Sequence, residues 1–166
     1  MYSSYAGSVA ASSRCERAPG LRMGSFANRF PKQGTSCAAA AAARGVPLAS
    51  ELKTLVVECA GELAAVSVPA DHTVRFDAVA ACLSVDAVRL AKRRALRRLG
   101  LEPGAICAVQ EPVWSMLQLI SRELLVLDRV TTNDGSRARY YRFAPRTLLS
   151  APRAILGCFA RPPLGA

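Results

Sequence analysis

Two β-rich apolar runs, Lys53–Cys59 and Leu63–Pro69, stand either side of Ala60-Gly61, and this pairing constrains the fold more than any other feature. Aliphatic and β-branched residues dominate both runs, and a short Gly-containing break between two such runs is a hairpin signal. A helix is predicted just ahead of it. Thr35 or Ser36 can cap Cys37–Arg44, which is nearly pure Ala, and Gly45 followed by Pro47 stops it.

Beyond the hairpin, Phe76–Leu83 (FDAVAACL) reads as a short amphipathic helix after Asp71–Arg75. Ala87–Ala91 predicts a short strand, and Lys92–Leu99 a basic helix ended by Gly100. The loop Leu101–Pro112 carries Pro103-Gly104. Val113–Ile120 is strand-like, and Ser121–Leu125 makes a turn or helical bend. Val126–Thr132 and Ala138–Phe143 predict a second hairpin around the turn tripeptide Asn133-Asp134-Gly135. Pro145 opens a last short helix, through about Leu149. Hairpins mixed with helices, without strict β-α alternation, indicate an α+β domain with a mixed sheet.

That domain is expected over residues 35–150. Residues 1–34 are rich in Ser, Ala, Gly and Arg with a single acid, Glu16. Such a composition suits a disordered extension or an organellar transit peptide, and a third reading starts the chain at Met23. Residues 151–166 are rich in Pro, Gly and Ala and predict a flexible tail.

The formal charge of +10 favours an anionic partner, nucleic acid or an acidic membrane surface. Nearly all the positive residues are Arg, so a high-GC genome could supply part of the bias. No apolar run reaches the roughly 20 residues of a membrane-spanning helix, and a soluble cytoplasmic protein is expected. The six cysteines (Cys15, Cys37, Cys59, Cys82, Cys107, Cys158) are scattered and form no C-x-x-C pair, with His72 the sole histidine. A structural zinc is therefore not expected, nor any other metal or cofactor, and free thiols in a reducing compartment are.

No G-x-S-x-G, H-E-x-x-H, Walker or G-x-G-x-x-G signature occurs. A Ser-His-Asp triad would need His72, in a polar turn beside Asp71, where an exposed histidine is ordinarily plain surface. Lys53, immediately before the apolar Thr54-Leu55-Val56-Val57, can project its ammonium into a cleft toward a carbonyl or phosphate oxygen. By position alone the reading as a snorkelling edge lysine prevails. Arg89, Lys92, Arg93, Arg94, Arg97 and Arg98 form the densest charge cluster, with Ala91, Ala95 and Leu99 as its expected buried stripe. A solvated helix face and a phosphate-binding face are both open readings. Tyr140, Tyr141 and Phe143 offer rings for base stacking, although strand alternation makes Phe143 a core candidate. The Glu102-Pro103-Gly104-Ala105-Ile106 turn can bring backbone N–H groups close to a ligand.

In order and spacing these pieces resemble the YbaK/prolyl-tRNA synthetase-associated family of aminoacyl-tRNA editing domains. The stretch TSCAAAAAARGVPLASELKTLVVECAGELAAVSVP is similar to its opening helix, G-V-P connector and K-T-L strand. FDAVAACLSVDAVRLAKRRALRRLGLEPGAI resembles its next helix, V-R-L-A strand, following helix and glycine loop, and LVLDRVTTNDGSRARYYRF its closing hairpin. The resemblance implies a mixed, largely antiparallel sheet curled toward a barrel with flanking short helices. It implies hydrolysis of mischarged aminoacyl-tRNA at the 3′ end, with Lys53 and Gly104 as the catalytic pair. Ala105, Ile106 and Cys107 would bind substrate beside them, and the Arg89–Arg98 cluster would hold tRNA. The implied partners are aminoacylated tRNA and an aminoacyl-tRNA synthetase, with no cofactor. Where the family usually continues its glycine loop with a Pro-containing stretch, this chain has Cys107-Ala108-Val109-Gln110. Only Phe26–Pro31 is available for the family's strand ahead of the Ala helix. A non-catalytic tRNA- or synthetase-binding module of the same fold is the alternative expectation.

Overall fold

The computed structural model describes residues 22–25, 36–137 and 139–163. Its first helix, α1 (Cys37–Arg44), is capped by the Ser36 hydroxyl, which accepts from the Ala39 amide at 3.2 Å. Alanine costs the helix least in side-chain entropy, and Gly45 closes it at φ 64°, a left-handed conformation that glycine adopts without strain. The hairpin follows as β2 (Leu52–Cys59) and β3 (Glu62–Pro69), paired in register with Lys53 opposite Val68. Ala60 and Gly61 both take positive φ, the geometry of a two-residue turn whose twist matches the strands.

Further along lie β4 (Thr73–Val74), α2 (Phe76–Leu83), β5 (Val88–Leu90) and α3 (Arg93–Arg98). After the glycine loop come β6 (Leu117–Ser121), β7 (Val130–Asn133), β8 (Arg139–Phe143), β9 (Ala154–Gly157) and β10 (Ala160–Arg161). Single 3-10 turns at Arg122–Val126 and Pro145–Ser150 supply the bend and the last short helix. The main sheet has the order β5-β2-β3-β6-β9, antiparallel through β3 and parallel from β3 to β9. A second, antiparallel sheet runs β1-β8-β7, where β1 is Arg22–Ser25, and an isolated bridge from Glu51 to Thr131 joins the two. The sheet curls without closing. Among the described residues no helix is long and apolar enough to cross a membrane.

Both faces of the main sheet are covered, so β3 buries six consecutive residues instead of alternating. Val57, Ala64, Val66, Val68 and Leu119 pack with Val79 of α2 on one face. Val56 and Ala65 pack with Leu96, Leu101, Ile106 and Val113 on the other. Leu52 and Ile120 join Phe143, Tyr141 and Leu148 between the two sheets.

Several expectations are corrected. The 151–166 segment is not a free tail: β9 pairs with β6, β10 pairs with β4, and Phe159 is 2% exposed in the core. Val113–Met116 forms turns, its apolar side chains being needed beneath α3 and not in a ladder. Residues 126–129 likewise stay outside β7. The buried residue of α3 is Leu96, whereas Ala91, Ala95 and Leu99 are half-buried. The strand ahead of α1 falls at Arg22–Ser25, and Phe26–Pro31, like the rest of the 1–34 extension, lies outside the described residues.

Candidate functional site

One side of α1, the start of β2, the glycine loop and the β7–β8 turn converge on one cavity of about 270 Å³. Lys53, Gly104, Ala105 and Ile106 all line it. The hairpin register sets Lys53 near the end of the ladder, two residues into β2, where its ammonium reaches past the strand. Nζ donates to the Ala70 carbonyl at 3.3 Å and to the His72 carbonyl. Two of three N–H bonds are thus committed to the turn after β3.

Gly104 sits at φ 84° after Pro103, a turn that only a residue without Cβ adopts freely. The Ala105 amide donates to the Glu102 carbonyl at 3.0 Å, so it serves the turn itself. Behind the loop, the buried Gln118 donates from Nε2 to the Ala108 carbonyl at 2.9 Å and ties the loop to β6. Cys107 is fully buried among Leu52, Ile120 and Phe143 and is absent from the cavity wall. The chain has already turned into the core there, so the side chain of this expected substrate contact is not brought to the cavity wall.

A charged wall went unread in the sequence. Arg44, the last residue of α1, forms an ion pair with Glu51, and both side chains are 5% exposed. The Thr131 hydroxyl donates to the other Glu51 oxygen at 2.6 Å, and the Arg44 guanidinium lies 5.1 Å from the Tyr140 ring centroid. Burial pushes the Glu51 carboxyl above its usual range, against the opposing pull of Thr131 and Arg44. Cys37 also lines the cavity. Burial pushes its thiol up more than Lys53 draws it down, which keeps it protonated and a poor nucleophile. Arg44 and Glu51 carry no periodic signal: one reads as a helix end, the other as a connector. Their spacing of seven residues across a G-V-P turn was the only clue. Asn133, Ser136 and Arg137 complete the wall from the β7–β8 turn, a tripeptide legible as a turn and not as a site.

The basic cluster divides. Arg93 and Arg97 line an open groove of about 730 Å³ with Glu102, Pro103 and Arg137. The groove and the cavity share Gly104 and Arg137, so the two adjoin there. Arg89 instead donates to Glu58 at 2.6 Å, and Lys92, Arg94 and Arg98 are exposed but line neither space. Tyr141 and Phe143 are core and unavailable for stacking. His72 Nδ1 lies 2.6 Å from Asp71 Oδ1, outside the cavity wall.

Residues 31–150 match the family model described as the aminoacyl-tRNA editing domain. Curated protein sequences give no match. Among solved structures, the hypothetical protein APE2540 superposes with a TM-score of 0.73 at 25% identity, over 85% of this chain and 91% of that one. A structure described as "a putative trans-editing enzyme for prolyl tRNA synthetase" also gives 0.73, at 18% identity over 85% and 87%. At that identity the second likeness speaks for the fold alone.

Proposed function

The chain belongs to the aminoacyl-tRNA editing domain family, and from that premise we propose that it hydrolyses the ester of mischarged aminoacyl-tRNA. The observation that carries this reading is that Lys53 and Gly104, about fifty residues apart, line the same small cavity. Its volume equals about nine waters at roughly 30 Å³ each, room for a small aminoacyl group and part of a ribose.

In this reading the third Lys53 N–H donates to the ester carbonyl or a neighbouring phosphate oxygen. Its two bonds to Ala70 and His72 hold the ammonium in place and cast Lys53 as an anchor, not a nucleophile. Gly104 leaves space at the turn for the ester to approach the backbone. Water adds to the carbonyl carbon, the bond to the terminal ribose oxygen breaks, and that oxygen leaves with a proton. Among the described residues of the wall none is poised as base: both Glu51 oxygens are engaged, Cys37 is protonated and His72 lies outside the wall. In this reading, as the family resemblance implies, substrate groups assist the water. Wall size sets discrimination, excluding larger amino acids more readily than it rejects smaller ones.

The test is deacylation of tRNA(Pro) charged with Ala, Cys or Ser. Hydrolysis of at least one is expected, and Lys53→Ala should lower kcat/KM on the order of 10²-fold, the scale for losing one positioned donor. No hydrolysis across the panel, or full activity in the variant, overturns the reading. A non-catalytic tRNA- or synthetase-binding module is the second reading. It is favoured by the Ala105 amide being spent on Glu102 and by Cys107 being withdrawn into the core. It predicts tRNA binding that survives Lys53→Ala with no turnover in any variant.

A further inference from the structure

A charged residue, Arg137, stands where the groove and the cavity adjoin. Arg137 lies 31% exposed at the junction of groove and cavity, 3.2 Å from Glu102, and a Cβ added at Gly104 would sit 3.9 Å from its Nη2. Arg93 and Arg97 recur four residues apart on α3, hence on one helix face, and both line the groove that ends at Arg137. Three guanidinium groups against the single carboxylate of Glu102 make this groove a track for a chain of anions. It is open to solvent, as a polymer requires, and adjoins the cavity at Gly104 and Arg137.

We propose that Arg93, Arg97 and Arg137 form a phosphate track that leads the single-stranded 3′ end of an RNA into the Lys53 cavity, with Arg137 exchanging Glu102 for a phosphate at the junction. The proposal rests on the editing reading for the identity of the RNA, and it assigns a role to a residue outside the basic cluster of α3. Guanidinium suits the task because its fixed fork of donors can keep one contact while trading another. Glu102 holds that fork across the groove mouth until a stronger anion arrives. The remaining cations of the cluster, Lys92, Arg94 and Arg98, lie off the track and contribute only to the general field.

The experiment is salt-dependent binding of two uncharged RNAs to the full chain: a tRNA, and the same tRNA trimmed of its unpaired 3′ nucleotides. Arg137→Ala should weaken binding of the intact tRNA on the order of tenfold at low salt. It should also make the log–log salt slope shallower by about 0.7, the value for one single-strand phosphate contact. The trimmed tRNA should not distinguish variant from wild type. Arg137→Lys, which keeps the charge and loses the fork, should restore part of the affinity, which guards against a folding defect, and Glu102→Gln should tighten the intact tRNA a few-fold. Arg122→Ala, which removes an exposed arginine outside the groove, should affect both RNAs equally. Equal losses for both RNAs in Arg137→Ala, or no binding of either at about 50 mM salt, overturn the track. Because the RNAs carry no ester, a lack of deacylation would sink the hydrolase reading and leave this result standing; deacylation without discrimination by Arg137 would do the reverse.

Discussion

Two arginine–glutamate pairs of identical chemistry occupy opposite surroundings in this protein. Arg44–Glu51 is sealed in the cavity wall, each side chain 5% exposed, with Thr131 as a third partner. Arg89–Glu58 lies across β5 and β2 in directly opposed register, with side chains 67% and 23% exposed. Burial governs the first: it raises the Glu51 carboxyl despite two partners that oppose it. The hydrogen bond from Arg89 governs the second and lowers the Glu58 carboxyl. The same pair is therefore a structural commitment in one region and a surface adjustment in the other.

Removing one arginine from each pair sharpens the contrast most. Arg44→Ala strands a carboxylate in the cavity wall and also removes the guanidinium beside Tyr140, so it should cost about 3–5 kcal/mol at neutral pH. Urea unfolding measures this, and a cost below about 1 kcal/mol would mean that the wall admits water and the contrast is false. The double change Arg44→Leu with Glu51→Leu should recover most of the loss, because it leaves no charge buried alone.

This wall also marks the limit of what the sequence reveals. Features carried by adjacent residues were legible: the Ser36 cap and Gly45 stop of α1, the β2–β3 hairpin, and α2 at its observed bounds. Lys53 and the Gly104 turn were joined in one expected site only by the family resemblance, since locally one reads as an edge lysine and the other as a plain turn. What depends on a distant partner was not. Ala154–Gly157 becomes a strand only because β6 offers an edge, and nothing in a Pro-, Gly- and Ala-rich stretch announces that edge. Arg137 reads as one more arginine until the β7–β8 turn brings it beside Gly104. Cys107 differs in the other direction: the family resemblance implies a substrate contact, whereas its side chain completes the core between the sheets.

The pH dependence should separate the pairs by sign. A carboxyl raised on folding contributes stability that is present below its ordinary value of 4.5 and lost as pH rises through the folded value. Wild type measured against Glu51→Gln should therefore lose relative stability as pH climbs above 4.5. The Arg44→Ala penalty should shrink on acidification, since the stranded carboxylate can then take a proton. For Glu58, lowered by Arg89, the contribution is present above 4.5 and lost as pH falls through the folded value. Wild type against Glu58→Gln should lose relative stability only in acid. Slopes of the same sign for both pairs would break the comparison.

The smallest effect is expected from Arg89→Ala. Its guanidinium donates to Glu58 at 2.6 Å, yet it is two-thirds exposed, and water replaces most of what the pair supplies. The urea midpoint at neutral pH should stay within the error of the measurement. A subtler trace should remain, because the Glu58 carboxyl returns toward 4.5 once its donor is gone. The acid slope attributed to Glu58 should then vanish in Arg89→Ala, and 1 M salt should flatten it in wild type, where screening reaches within about 3 Å. A midpoint shift as large as that of Arg44→Ala would show that β5 depends on this pair for its place at the sheet edge. Arg89 would then be a residue the strand needs and not one the surface can spare for RNA.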